Sequence, residues 1–193
     1  VGREVLRALK ATPAKARALV RTPGSLPDSV VGDLGDPASL RAAMEGIERV
    51  FFVTPHDPAE EKLGRNVIDA AHDAGVKRIV FASAYHADVT SSFGMRLFVG
   101  AMSLLTHYGP KLSVERHVRL AKASPVVLMP SNFYQNDEMF LPEIRAGRYP
   151  QPLGMKGVNR VDCRDIGDAA ARALTDDSVD SGGYPLVGPE AAL

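Results

Sequence analysis

Cysteine, net charge and long apolar runs are all scarce in this chain of 193 residues. The one cysteine, Cys163, excludes an intrachain disulfide and suits a reducing compartment. Basic and acidic residues balance at 23 each, so no global field draws nucleic acid or an anionic membrane surface. The most apolar stretch, Leu97 to Leu105, falls well short of the roughly 20 residues that a membrane helix needs. It reads as a buried or interface helix. No signal peptide is visible, and the chain reads as soluble. His56, His72, His86, His107 and His117 never stand with carboxylates or cysteine at a ligand spacing, so no metal site is predicted. Gly-x-Ser-x-Gly is absent, which removes the usual hydrolase elbow. Arg116, Arg119 and Lys122 form a basic stripe without a helix-turn-helix around it, and read as a solvated helix face.

What is present is a regular alternation. The length and the 45% hydrophobic content support one domain over residues 1–193 with its own core. Apolar residues at 1, 5, 6, 8 and 9 predict a helix already under way at Gly2, followed by a strand over Ala16–Arg21. Ser29–Leu34 reads as the next strand. Asp36 is a suitable N-cap and Pro37 a suitable first helical residue, with Leu40, Ala43 and Met44 facing inward and Gly46 stopping the helix. Arg49–Thr54 and Lys77–Ser83 are continuous apolar strands, the kind covered on both faces. Between them Asp57-Pro58 opens a helix with Leu63, Val67, Ile68, Ala71 and Ala74 at helical spacing, closed by Gly75.

Gly109-Pro110 is read as a break, before a helix over Lys111–Ala123 that turns Val114, Val118 and Leu120 inward. The remaining pattern is a strand at Pro125–Met129, a loop over Pro130–Asn136 and a helix over Met139–Ala146. It closes with a weak strand at Val158–Asp162, a strong helix over Arg164–Leu174 and a late strand at Gly183–Gly188. This rhythm predicts an α/β fold with a doubly wound parallel sheet.

In such a sheet, ligands collect outside the carboxyl ends of the strands, where strand order reverses. Arg21-Thr22, Asp33-Leu34, Thr54-Pro55, Ser83-Ala84 and Pro130-Ser131-Asn132 put polar or turn-forming residues at successive strand ends. Together they predict a cleft. A guanidinium at Arg21 favours the 2′-phosphate of NADP over the free hydroxyl of NAD, the alternative being a solvated arginine. Asp33 is either a partner for an adenine amino group or a turn acid before Gly35.

Several segments carry a resemblance. Ala18-Leu19-Val20-Arg21, Gly32-Asp33-Leu34-Gly35-Asp36-Pro37, Val50-Phe51-Phe52-Val53-Thr54-Pro55, Ala74-Gly75-Val76-Lys77-Arg78-Ile79-Val80 and Asp165-Ile166-Gly167-Asp168-Ala169-Ala170 stand in order behind Gly2. In sequence and spacing they resemble the NmrA-like atypical short-chain dehydrogenase/reductases, over nearly the whole chain. The resemblance implies a Rossmann-type fold binding NADP or NAD and a cytoplasmic location. It also implies one of two functions: reduction of a small carbonyl or quinone compound, or cofactor sensing without turnover. A small-molecule substrate is implied as partner, and an oligomer is compatible with it.

Of the family's Gly-x-x-Gly-x-x-Gly only Gly2 is present, and the first strand is missing. The chain starts at Val1 and ends at Leu193, which predicts a fragment of a longer polypeptide that on its own binds dinucleotide weakly or not at all. Classical relatives use Tyr-x-x-x-Lys; here the run is His107-Tyr108-Gly109-Pro110-Lys111. The resemblance makes Lys111 a cofactor-ribose contact, against an exposed lysine at a helix start, and His107 or Tyr108 a proton donor, against no catalytic role for either. Glu115 matches a family glutamate and is expected to be structural.

Asn132 and Phe133 match in character the loop that closes over the nicotinamide in the family, against an ordinary loop packed on the sheet. The expected cofactor-binding set is therefore Gly2, Arg21, Asp33, Leu34, Thr54, Pro55, Ser83, Lys111, Asn132 and Phe133. Residues 84–110 and 130–160 would supply the substrate side, with Leu97 to Leu105 roofing an aromatic or otherwise apolar substrate.

Overall fold

The computed structural model describes residues 1–85, 109–150, 158–189 and 191–192. Helix α1 (Gly2–Leu9) leads to strands β1 (Ala18–Val20) and β2 (Ser29–Val31), and α2 (Pro37–Met44) to β3 (Arg49–Phe52). Helix α3 (Glu60–Asp73) then precedes β4 (Arg78–Ala82), and α4 (Gly109–Arg119) precedes β5 (Ser124–Pro130). A short strand β6 (Asn132–Phe133), a 3-10 helix (Tyr134–Phe140) and α5 (Leu141–Arg145) follow. The last described elements are β7 (Val158–Val161), α6 (Cys163–Thr175), β8 (Gly182–Leu186) and β9 (Ala191–Ala192).

All strand pairs in the main sheet are parallel, in the order β3-β4-β5-β8. β1 and β2 form a separate parallel pair, and β7 joins β6 in parallel and β9 in antiparallel pairing. Alternation along the central strands explains the layers. Ile79 and Phe81 of β4 and Val127 of β5 pack with α2, α3 and α4 on one face. Val80 of β4 and Val126 and Leu128 of β5 pack with Val5, Ala8 and Leu9 of α1 and with Ala170, Ala171 and Leu174 of α6 on the other. Because helices cover both faces, every residue of β4 is buried and the strand reads as one apolar run. The doubly wound parallel architecture is the one expected.

Two glycines let helices meet closely. A Cβ on Gly64 of α3 would lie 2.5 Å from a Val114 methyl of α4, and one on Gly167 of α6 would lie 2.6 Å from the Glu4 backbone of α1. Asp36 caps α2 as predicted, accepting from the Ala38 amide at 2.9 Å. No helix among the described residues is long and apolar enough to cross a membrane.

Some local expectations change. Gly109-Pro110 does not break the chain ahead of α4: both residues are already helical in the described part of that helix, Gly109–Arg119. Leu120, expected inward, is 77% exposed, because α4 ends at Arg119 and leaves it beyond the packed face. The segment read as a loop at 130–136 contains β6, which pairs through Asn132 with Arg160, and the start of the 3-10 helix. That 3-10 turn takes up Met139 and Phe140, so the predicted helix shrinks to α5.

Candidate active site

The helix α1 before β1 and the helix α2 after β2 pack on opposite faces of the sheet. The winding therefore reverses between β1 and β3, and the crevice outside the carboxyl ends of these strands is the place where a parallel sheet of this kind receives a ligand. At the β1 end, Arg21 is exposed and makes no hydrogen bond or ion pair among the described residues. At the β2 end, the Asp33 carboxylate accepts from the Gly35 amide at 2.7 Å, which is the turn-acid role, while the residue itself remains exposed. Leu34 is half-buried and its carbonyl accepts from Asn66 at 2.8 Å. Gly2 heads α1 with open space where a side chain would be, and the amides of its first turn point out of the helix.

The end of β3 holds the most tightly built group. Thr54 is 3% exposed, Glu60 of α3 1% and Lys111 of α4 4%. The Lys111 ammonium pairs with Glu60 Oε1 at 2.6 Å and donates to the Thr54 carbonyl at 3.0 Å and to Thr54 Oγ1 at 3.1 Å. Thr54 Oγ1 in turn donates to Glu60 Oε1. An ammonium has three protons, so all of them are committed. The Phe81 ring lies beneath, its centroid 5.9 Å from Lys111 Nζ and 4.8 Å from that of Phe52. Val53 and Pro55, on either side of Thr54, are exposed. Lys111 is thus neither an exposed helix-start lysine nor, in this structure, a donor with a free proton.

At the end of β4, Ser83 Oγ donates to Glu115 Oε2 at 2.6 Å, and Glu115 Oε1 takes Arg119 at 2.7 Å. Glu115 is structural in the sense expected: it ties α4 to the strand end. Beyond β5, Asn132 Oδ1 accepts from Asn136 at 2.7 Å, and Phe133 packs beside Val161, Cys163 and Ile166. Burial pushes the Cys163 thiol up. Arg160 pairs with Asp137 at 2.6 Å, donates to the Tyr149 hydroxyl at 3.0 Å and lies over the Tyr134 ring at 4.7 Å. Its hydrogen bond holds the Asp137 carboxylate below the usual range, and that carboxylate pushes the Tyr149 phenol up.

The structure thus brings Thr54 and Lys111 together, places Ser83 one strand away, and leaves Arg21 and Asp33 on the neighbouring pair of strands. His107, Tyr108 and the Leu97 to Leu105 stretch lie outside the described residues. Among these no group of three histidine, cysteine or acidic residues could hold a metal. Glu60 is the residue that sequence reasoning missed. Its signal was available, since positions 60, 64, 67 and 71 fall on one helical face and Glu60, Gly64, Val67 and Ala71 are all buried. A carboxylate on the inward stripe demands a cationic partner.

Comparison with known proteins identifies the family. A family model described as NAD(P)H-binding matches residues 1–177. The NAD(P)H azoreductase of Xenophilus azovorans is 30% identical over 199 aligned residues, covering 99% of this chain and 65% of the relative. The triphenylmethane reductase of Citrobacter sp., solved with NADP(H), superposes with a TM-score of 0.81 at 24% identity, over 99% of this chain and 67% of that one. The NADPH-dependent quinone oxidoreductase of Escherichia coli, solved with NADPH, gives 0.77 at 25%, over 98% and 66%. The fold is therefore Rossmann-like. The chain spans 65% of the azoreductase's length.

Proposed function

The chain belongs to the NAD(P)H-binding family, and from that membership we propose that it forms the nucleotide-binding part of an oxidoreductase. The enzyme prefers NADPH, acts in the cytoplasm, and reduces a small carbonyl or quinone compound. The observation that carries the cofactor preference is Arg21, whose exposed guanidinium stands unpaired among the described residues beside the switch point. A free guanidinium there offers charge-assisted hydrogen bonds to a 2′-phosphate.

Asp33 and Leu34 flank the adenine, Val53 to Pro55 border the nicotinamide side, and Asn132 and Phe133 supply a polar group and an apolar wall. Ser83 bears on the cofactor through the strand end that it anchors, and Gly2 opens the helix end nearest the pyrophosphate. When bound, the reduced nicotinamide supplies a hydride; the chain's own residues hold and orient the reactants and exclude water. Elements within 84–110 and 130–160 form the substrate side. The azo, quinone and dye reductases among the relatives favour a conjugated, apolar acceptor.

The test is consumption of NADPH and NADH by the full-length protein with a panel of quinones and aldehydes. Turnover with a quinone, lost preferentially with NADPH in Arg21→Ala by about 10-fold, supports the reading. A second reading, a redox sensor that binds the cofactor without turnover, is favoured by one observation. The Thr54 and Ser83 hydroxyls and all three Lys111 protons are committed to protein partners. Tight NADPH binding with no turnover above background selects that reading.

A further inference from the structure

The buried charges at the end of β3 have no explanation in stability. An ion pair taken out of water is commonly no better for the fold than apolar side chains of the same volume. What it does supply is direction. Lys111 grips Thr54 twice, at the carbonyl oxygen and at Oγ1, while Glu60 holds both Lys111 and the Thr54 hydroxyl. Apolar residues could fill this space but could not hold a carbonyl.

The group is also braced from behind. Glu60 lies one helical turn before Gly64, and Lys111 one turn before Val114, where α3 and α4 touch with no room for an extra carbon. Both charged side chains therefore come from helices whose separation is fixed, and both converge on one residue of the crevice rim. The neighbouring group differs, since Ser83 is held by its hydroxyl to one carboxylate.

We infer that Glu60 is a positioning residue: by locking Lys111 onto Thr54 it sets the course of Val53-Thr54-Pro55 along the crevice, and the site's affinity for reduced dinucleotide depends on that course. The inference rests on the function proposed above, but it assigns Glu60 and Lys111 a different task from the ribose contact expected of the lysine. Both act on the rim through Thr54.

The experiment titrates NADPH into the full-length protein and follows NADPH oxidation with a quinone, well below the melting temperature of each variant. Glu60→Gln is expected to raise both the Kd and the KM for NADPH about 10-fold, with kcat at saturating NADPH nearly unchanged. The variant Glu60→Gln with Lys111→Met carries no unpaired buried charge. It should regain most of the lost thermal stability and still bind NADPH as weakly as the single variant. Glu61→Gln removes a partly exposed carboxylate one residue away, which is held by Ser113 and Arg65 and not by Lys111, and leaves both constants at wild type.

A double variant that regains wild-type Kd along with its stability would overturn the inference, because the pair would then serve the fold alone. So would a Glu60→Gln protein with wild-type Kd and KM, or a Glu61→Gln protein as weak as Glu60→Gln. A wild-type protein that binds no NADPH would overturn this inference and the proposed function together. Wild-type binding with indifferent variants would overturn this inference only.

Discussion

The ends of β3 and β4 are built to one pattern with different consequences. Each joins a strand-end hydroxyl, a helix carboxylate and a cation: Thr54, Glu60 and Lys111 in the first, Ser83, Glu115 and Arg119 in the second. Both carboxylates are buried, but the side chain of Lys111 is 5% exposed and that of Arg119 40%. Deprived of its carboxylate, Arg119 can turn to water, whereas Lys111 is left charged in the core. The first group also holds a main-chain carbonyl. Burial of the cation, more than the pairing itself, decides how much each strand end depends on its group.

The comparison breaks first at Lys111. Lys111→Met leaves Glu60 buried without its cation, and breaking such a pair costs about 3–5 kcal/mol. Urea unfolding should show the largest loss here, and Glu60→Gln should be close behind. An equal loss in Arg119→Gln would mean that exposure of the cation does not matter. Next comes Gly64→Ala, which drives a methyl into Val114 and should cost about 1–3 kcal/mol despite the better helix propensity of alanine. Val114→Ala in the same chain should recover part of that loss, as the clash is between those two side chains.

Ser83→Ala and Arg119→Gln each remove one partner of Glu115 and leave its other contacts in place. Each should cost about 1 kcal/mol, and the Arg119 effect should shrink in high salt. The pH-dependent effect is expected away from both groups, at Asp137. Its carboxyl is depressed by the Arg160 hydrogen bond, so its contribution is complete above the unfolded value and is lost as pH falls through the folded one. The loss should set in below about pH 4. In Asp137→Asn that acid limb should flatten, while the midpoints of the Lys111 and Glu60 variants at neutral pH stay where they were.

Strand and helix order was legible because both faces of the main sheet are covered, which makes β3, β4 and β5 read as apolar runs between helical periods. The candidate crevice followed from the same order, since strand ends are fixed once strands are. Local charge was less legible. Lys111 and Glu115 were weighed one at a time, yet each owes its place to a partner far along the chain, Glu60 or Ser83. Counting only the apolar residues of α3 passed over the one acid on its inner face. β6 was missed for a related reason: two residues carry no periodicity, and their pairing is set by β7, reached through Asn132 and Arg160.

The most direct test of the account is titration of NADPH and of NADH into the full-length wild-type protein under identical salt. The account predicts saturable binding of both, with NADPH tighter by about 10-fold through the charge-assisted contacts of Arg21. Equal affinities would contradict the assignment of Arg21, and binding of neither would contradict the function proposed for the site.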